Sequence, residues 1–447
     1  MGMRYFGTDG IRGRVGTRPI TPRFFTKIAW ALGQIFRNEE AHARVIIGKD
    51  TRISGYMLES AMQAGFAAAG ADTMLVGPMP TPAIAYLTRT FRADVGVVIS
   101  ASHNGYLDNG VKFFSQDGMK LGDDLERKIE EYLEKDMDTV SAVDLGRAAR
   151  VVDARGRYIE FCKSTLRYNS DITGKKLLID CAHGATYSVA DRVFSELGAD
   201  VEVINDKPDG ININHKCGST YAKCISRETV KHQADIGIAF DGDGDRVIMC
   251  DHRGEIVDGD VLLYILTKYM KELGTLESNK VIGTVATNYG LELSLKHLGV
   301  KLKRVPVGDR HIIDEIAKGT SNLGGESSGH MICDRYTTTG DGIIVALQVL
   351  AALNHFDCDF EPLVKEAALI PSSHDHIKCK DPKALIQYPE LKKKISELEL
   401  KIKAKGRLLV RPSGTEPILR ISVESSDKAL RLSTITAIKK VAEKVNT

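Results

Sequence analysis

One pattern recurs three times in this 447-residue chain: the end of a helical stretch, a glycine, then a strand. It reads Ala69-Gly70-Ala71-Asp72, Leu197-Gly198-Ala199-Asp200 and Leu298-Gly299-Val300-Lys301, with the glycines 128 and then 101 residues apart. Glycine is common at a helix C-terminus because it adopts the left-handed backbone that closes the last turn. Three such glycines at domain-sized intervals, each leading into a strand, predict three α/β domains of one build. A chain this long also exceeds what a single hydrophobic core supports.

Around these repeats, short β-branched runs alternate with longer helical patterns, as parallel α/β units do. Val45-Ile46-Ile47, Met74-Leu75-Val76 and Val95 to Ile99 read as strands, with a small-residue helix from about Met57 to Ala69. Leu125, Ile129, Tyr132 and Leu133 then recur at helical spacing. The tail differs. Strands at 374–379, 408–410 and 418–423, a charged helix from Leu391 to Leu400 and a last helix from about Ala429 to Val445 make a small α+β domain. Glycine- and charge-rich stretches near 150, 255 and 370 are the expected joints, giving domains of 1–150, 151–255, 256–370 and 371–447. The fold class is α/β: three similar mixed-sheet α/β domains followed by a smaller α+β C-terminal domain.

The densest chemical signal follows the apolar run Ile236-Gly237-Ile238-Ala239-Phe240, which reads as a buried strand. At its end stands Asp241-Gly242-Asp243-Gly244-Asp245, with three carboxylates alternating with two glycines. Held together unpaired, these acids would repel one another and their pKa values would split. A hard divalent cation such as Mg²⁺ removes that repulsion, and the glycines allow a turn tight enough for the side chains to converge. The bland alternative is a solvated acidic turn. An EF-hand loop fails, because its sixth and twelfth positions are Arg246 and His252 instead of Gly and Glu. A phosphatase that phosphorylates its own Asp would usually carry Thr where Asp245 stands.

Val97-Val98-Ile99 leads into Ser100-Ala101-Ser102-His103-Asn104, placing two hydroxyls and an imidazole where a strand opens an α/β crevice. No G-x-S-x-G elbow surrounds the serine, so an esterase triad is not indicated. A serine beside metal-binding acids is suited to carrying a phosphoryl group, whose charge a cation screens. Lys112 follows the turn Asp108-Asn109-Gly110; near a metal and a phosphate it can act as acid or base if its pKa is depressed. Arg411-Pro412-Ser413-Gly414-Thr415 combines a guanidinium, two hydroxyls and a glycine in the manner of an anion cradle. Thr8-Asp9-Gly10-Ile11-Arg12-Gly13 could present Arg12 in the same way. Lys49-Asp50-Thr51-Arg52 is either a weaker cradle or an internal ion pair. Gly325-Glu326-Ser327-Ser328-Gly329-His330 offers groups suited to sugar hydroxyls.

Composition narrows the partners. A net charge of +2 gives no general attraction to nucleic acid or an anionic membrane, so an anionic substrate must be met by local basic groups. The eight cysteines contain no C-x-x-C pair, and they read as reduced core residues of a cytoplasmic protein. No signal peptide and no membrane-spanning stretch are expected.

Four segments taken together resemble the α-D-phosphohexomutases: Ser100 to Asn104, Asp241 to Arg246, Gly325 to His330 and Arg411 to Thr415. The opening Arg4 to Gly13, Asp180 to Tyr187 and Val307-Gly308-Asp309-Arg310 resemble the branch of that family that acts on an amino sugar. Two positions depart from the family pattern: Gly105 replaces a common proline, and Ser327 a usual glutamine.

The resemblance implies four domains around a central cleft, each giving one loop. Ser102 would be the phosphoserine, and Asp241, Asp243 and Asp245 would hold one Mg²⁺ with it. Arg12, His103, Lys112 and Arg246 would line the transfer site, with Lys112 moving the proton. Gly308, Asp309, Glu326, Ser328 and His330 would meet the sugar. Arg411, Ser413, Gly414 and Thr415 would grip the phosphate that is not transferred. The implied activity is an intramolecular phosphotransferase, or isomerase, interconverting the 6- and 1-phosphates of glucosamine for cell-wall precursor synthesis. It needs phosphorylation of Ser102 and a glucosamine or glucose 1,6-bisphosphate as activator, and it works as a monomer or homodimer. Rival readings are a glucose or mannose phosphate mutase of the same mechanism and a non-catalytic sugar-phosphate binding protein.

Overall fold

The computed structural model describes residues 3–7, 9–37, 42–167, 170–403, 405–413 and 417–445. Four sheets follow one another along the chain, and the first three share a plan. In each, one strand lies between two parallel neighbours and a further strand returns antiparallel. In the first sheet Arg44–Lys49 lies between Asp72–Pro78 and Val95–Ile99, and Asp108–Ser115 returns. In the second, Lys176–Asp180 lies between Asp200–Ile204 and Ile236–Phe240, and Val247–Asp251 returns. In the third, Lys280–Thr284 lies between Lys301–Val305 and Leu323–Gly325, and Met331–Cys333 returns.

The recurring glycines explain themselves on this plan. Gly70, Gly198 and Gly299 each precede the second of the three parallel strands in this plan, with φ of +80°, +95° and +69°. A side chain is strained in that region, so glycine is the residue that lets helix turn into strand.

The plan also fixes where chemistry can occur. In all three domains the turn from the third parallel strand to its antiparallel return opens at the carboxyl end of the sheet, where α/β proteins form crevices. These turns are residues 100–107, 241–246 and 326–330. The strands that deliver the first two, Val95–Ile99 and Ile236–Phe240, are buried throughout, as their unbroken apolar runs require.

The tail forms a three-stranded antiparallel sheet with Ile418–Ser425 between Ser372–Lys378 and Gly406–Pro412. Helices Pro389–Ile402 and Lys428–Val445 cover it around a core of its own, including Leu391, Leu408, Leu419 and Ile438. The first three domains share one apolar cluster, running through Phe114, Tyr158, Phe240, Leu323 and Leu350, and the first has a further core of its own around Phe25, Ile47 and Val97. Each such buried side chain stabilises the fold by about 1.5–3 kcal/mol. All eight cysteines are free thiols, and seven are buried. Among the described residues no single helix is long and apolar enough to cross a membrane.

Candidate active site

The Ser102 turn and the acidic turn, 139 residues apart, meet. Ser102 Oγ donates to Asp241 Oδ2 at 2.7 Å, and both residues are buried. Ser102 sits in the left-handed region at φ +50°, which turns its hydroxyl away from the strand direction and into the second domain. Gly242 is needed for the approach: a Cβ there would lie 2.7 Å from the Ser102 carbonyl oxygen and 2.6 Å from Asn214 Nδ2.

Asp241, Asp243 and Asp245 each place one oxygen within 4.8 Å of the others. Burial raises the Asp241 pKa well above its usual value, and the charges of Asp245 and Asp243 raise it further. Asp245 is held low against its burial by Lys112, then His330 and Arg246. Asp243 Oδ1 and Asp245 Oδ1 are buried with no hydrogen-bond partner. Converging carboxylates with orphaned oxygens fit a hard, oxygen-seeking dication such as Mg²⁺.

Lys112 reaches the same cluster. Its Nζ donates to Asp243 Oδ2 at 2.9 Å and Asp245 Oδ2 at 3.1 Å, and lies 3.0 Å from Asp9 Oδ2. Burial works to lower its pKa, but Asp243, Asp245 and Asp9 raise it well above the lysine value. The depressed lysine that base catalysis asks for is therefore absent from this arrangement, and Lys112 is an ammonium. Arg12 pairs with Asp9 and donates to the Ala101 carbonyl at 3.4 Å. His103 Nδ1 lies 3.4 Å from Ser102 Oγ; burial, then Arg246 and Arg12, lower its pKa to about 4, so the ring is neutral at pH 7.

The third domain closes this wall. Arg246 bridges to His330 through the backbone. Glu326 Oε1 accepts from the Gly308 N–H at 3.0 Å, and Ser328 Oγ donates to Glu326 Oε2 at 3.4 Å. A cavity of about 300 Å³ lies between Arg12, His103, Arg246, Gly308, Glu326 and His330. Arg12 Nε, Arg246 Nε and His330 Nε2 are buried there without hydrogen-bond partners. Asp9, Asp245 and Asp309 share the wall, with Asp245 Oδ1 3.8 Å from Arg246 Nε and Asp309 Oδ2 3.7 Å from His330 Nε2, so the cavity offers donors to an oxygen-rich occupant from between carboxylates.

Asp309 behaves differently from its neighbours. Its Oδ2 accepts from Lys120 Nζ, which also binds Asp9 Oδ1, so it ties the third domain to the first. The adjoining Arg310 strengthens the same joint by donating to Glu126 Oε2 at 2.9 Å.

Arg411 stands apart from the transfer centre. It is half-buried on the open face of the C-terminal sheet, beside Arg420 on the paired strand. Both line a second cavity of about 560 Å³ that has Ser327 on its opposite wall. Ser413 N–H donates to the Ile418 carbonyl at 2.9 Å. Gly414 and Thr415 lie outside the described residues.

Sequence reasoning missed four contributors. Thr81 Oγ1 donates to Asp243 Oδ2 at 2.6 Å from a helix start in the first domain. Asp9 and Lys120 complete the charge network around Lys112. Asn214 Nδ2 donates to the Ser102 carbonyl at 2.9 Å. None carries a local signal; only Asp9, inside the Arg12 segment, lay close to one.

Models of the phosphoglucomutase/phosphomannomutase family match nearly the whole chain: alpha/beta/alpha domain I over residues 3–139, domain II over 156–254, domain III over 258–368 and the C-terminal domain over 376–438. The chain is 50% identical to the phosphoglucosamine mutase of Hahella chejuensis over 99% of both chains. It is 52% identical to that of Methylococcus capsulatus over 96% of both. A phosphoglucomutase/phosphomannomutase family protein from Burkholderia thailandensis shares the fold with a TM-score of 0.80 at 21% identity, over 98% of each chain. The N-acetylphosphoglucosamine mutase of Aspergillus fumigatus, solved with GlcNAc-6P and magnesium, superposes with a TM-score of 0.69 at 16% identity, over 100% of this chain and 96% of that one.

Proposed function

We propose phosphoglucosamine mutase activity for this chain, which belongs to the phosphoglucomutase/phosphomannomutase family of α-D-phosphohexomutases. The substrate is a sugar phosphate, and the reaction interconverts glucosamine 6-phosphate and glucosamine 1-phosphate. One observation carries the reading: the Ser102 hydroxyl meets the carboxylate cluster, donating to Asp241 Oδ2 at 2.7 Å.

The active form bears a phosphate on Ser102. In the first step the bond from phosphorus to Ser102 Oγ breaks and a bond from phosphorus to the free sugar hydroxyl forms, giving glucosamine 1,6-bisphosphate. Lys112 is the candidate proton carrier: as the ammonium it gives a proton to Ser102 Oγ, and the amine so formed takes the proton the hydroxyl loses, which requires the ion pairs with Asp243, Asp245 and Asp9 that now hold it charged to loosen. The bisphosphate turns end for end, and the other phosphoryl returns to Ser102 by the reverse exchange. Asp241, Asp243 and Asp245 would hold Mg²⁺, which supplies charge stabilisation to the phosphoryl group in transfer.

The remaining residues bind and orient. Arg12, Arg246 and the neutral His103 stand where the transferring phosphate enters. Glu326, Ser328, His330 and Gly308 read the sugar ring, and Asp309, which lines the same cavity, stays tied to Lys120 beside it. Arg411 and Ser413, with Gly414 and Thr415, take the distant phosphate. A bisphosphate sugar serves as the primer that first loads Ser102. The eight free thiols favour a cytoplasmic setting, and the enzyme acts as a monomer or homodimer.

The test is a panel of 6-phosphates assayed with Ser102-phosphorylated enzyme. Glucosamine 6-phosphate is expected to exceed glucose and mannose 6-phosphates in kcat/KM by more than about tenfold, or about 1.4 kcal/mol. Equal or inverted values would remove the amino-sugar assignment and leave a general hexose phosphate mutase.

A further inference from the structure

Arg52 is fully buried, among the largest such side chains of the described residues, and it lies outside the residues assigned above. Its guanidinium has five N–H donors, and all five are engaged. Nε donates to Asp50 Oδ2 at 2.7 Å. One terminal nitrogen donates to the carbonyls of Ser102 at 2.9 Å and Asn104 at 2.8 Å. The other donates to the carbonyls of Gly105 and, at 3.1 Å, Asp108. Arg52 therefore has no donor left for a phosphate. It holds four carbonyls of the turn that presents Ser102.

The partner carboxylate extends the grip. Asp50 Oδ2 also accepts from Ser100 Oγ at 2.6 Å, and Ser100 Oγ accepts from the Ser102 N–H at 2.8 Å. The peptide groups on both sides of Ser102 Cα are thus tied to one buried ion pair, the N–H through Ser100 and the carbonyl through Arg52. From the second domain, Asn214 Nδ2 reaches the same carbonyl and that of Asn104, at 2.9 and 3.0 Å. Ser102 holds φ +50°, which a non-glycine residue keeps only when its surroundings impose it.

We infer that Arg52, Asp50 and Ser100 are positioning residues for phosphoryl transfer, holding the left-handed Ser102 backbone still while its oxygen gains and loses a phosphate. The inference rests on the reading of Ser102 as the phosphoryl carrier. Its physical basis is that the phosphate brings a charge of about −1.5 to −2 into the cage, which would pull a loose turn toward its cations. Displacement of a reacting atom by about 1 Å can cost roughly 100-fold in rate. A clamp on the peptide groups, facing away from the chemistry, keeps Ser102 Oγ in one place in both states.

The test uses full-length enzyme phosphorylated on Ser102, with Ser100→Ala, Arg52→Lys and Asn214→Ala. Ser100→Ala deletes the link to the Ser102 N–H. Arg52→Lys keeps the charge and loses the fork. In both, kcat is expected to fall by about tenfold or more while KM for glucosamine 6-phosphate stays within about twofold. Phosphate on Ser102 is expected to pass to water faster than in the parent. Asn214→Ala should show the same split in smaller measure. A purely structural role would lower the melting temperature and leave kcat per folded molecule and the water reaction unchanged, which overturns the inference. If Arg52→Lys does not fold, Ser100→Ala decides. Failure of the underlying reading is distinct: the parent itself would turn over with no phosphate on Ser102.

Discussion

The buried cluster around Ser102 and the C-terminal sheet around Arg411 are built on opposite terms. Ser102, the three aspartates and Lys112 are all buried, bonded to one another across two domains, and set in domains that share one apolar cluster. Arg411 is half-buried on an open sheet face, with Arg420 directly opposite, in a domain that has its own core. The first group of side chains is thus bonded within itself, whereas Arg411 faces a cavity it shares with Ser327 of the third domain. The proposed reaction needs this division, because one oxygen must stay fixed while the sugar presents first one end and then the other.

The joint between the two regions has its own character. Arg407, from the C-terminal sheet, donates to the Thr287 carbonyl at 2.9 Å, and Glu424 accepts from the Tyr289 N–H at 2.7 Å. Between these anchors Asn288 N–H donates to the buried Asp260 at 2.9 Å. Burial, then Asp258 and Glu424, raise the Asp260 pKa to about 7.

The contrast can be broken or sharpened by substitution, beginning with the largest effect. Ser102→Ala removes the carrier oxygen and is expected to lower kcat by at least roughly 10³-fold, about 4 kcal/mol at the barrier, with substrate binding by calorimetry retained. Near-parental turnover would dissolve the distinction between the two regions. Gly242→Ala puts a Cβ against the Ser102 carbonyl, and about a 100-fold loss of kcat is expected with little change in KM. An unaltered kcat would mean the two turns do not need this close approach.

Arg411→Ala should act the other way. Loss of one charge-assisted phosphate contact, about 1.5–3 kcal/mol, raises KM roughly 10- to 100-fold. Transfer from phosphorylated Ser102 at saturating substrate should stay near the parental rate. A fall in kcat with KM unchanged would place Arg411 in the chemistry instead.

Asp260→Asn has the smallest expected effect on turnover and a clear one on stability. The unfolded chain ionises this carboxyl near 3.8 and the folded chain near 7. Stability from the buried neutral acid is full below about pH 4 and is lost as pH rises to about 7. Asparagine keeps the acceptor for the Asn288 N–H and cannot ionise. The variant should therefore exceed the parent in stability at pH 8, by up to about 4 kcal/mol, and match it near pH 4. Thermal melts at the two pH values measure this, and parallel curves for variant and parent would show that Asp260 is not buried neutral.

Much of the scaffold was legible in the amino-acid order, for a physical reason. Fully buried parallel strands must be apolar on both faces, so Val95–Ile99 and Ile236–Phe240 announce themselves. The helix-ending glycines mark the second parallel strand of each sheet because left-handed backbone favours glycine at those points. The cage was legible because its three acids come from one turn. What stayed hidden depends on convergence. Thr81 lies 162 residues from the Asp243 it bonds, and nothing near Thr81 distinguishes it from any helix-starting threonine. Arg52 looked like a phosphate ligand as much as an internal pair until its five donors could be counted. The charge on Lys112 depends on three carboxylates from two distant turns, so the sequence pointed only to a depressed pKa and showed no sign of the raised one that those acids impose.

The central claim is that Ser102 itself passes the phosphoryl group. Rapid quenching of Ser102-phosphorylated enzyme, mixed with equimolar glucosamine 6-phosphate and Mg²⁺, follows both sides of that transfer within one turnover. Phosphate at residue 102 is expected to fall at the rate, and in the amount, that glucosamine 1,6-bisphosphate appears. Bisphosphate or glucosamine 1-phosphate accumulating while the phosphate on Ser102 stays in place would contradict the account.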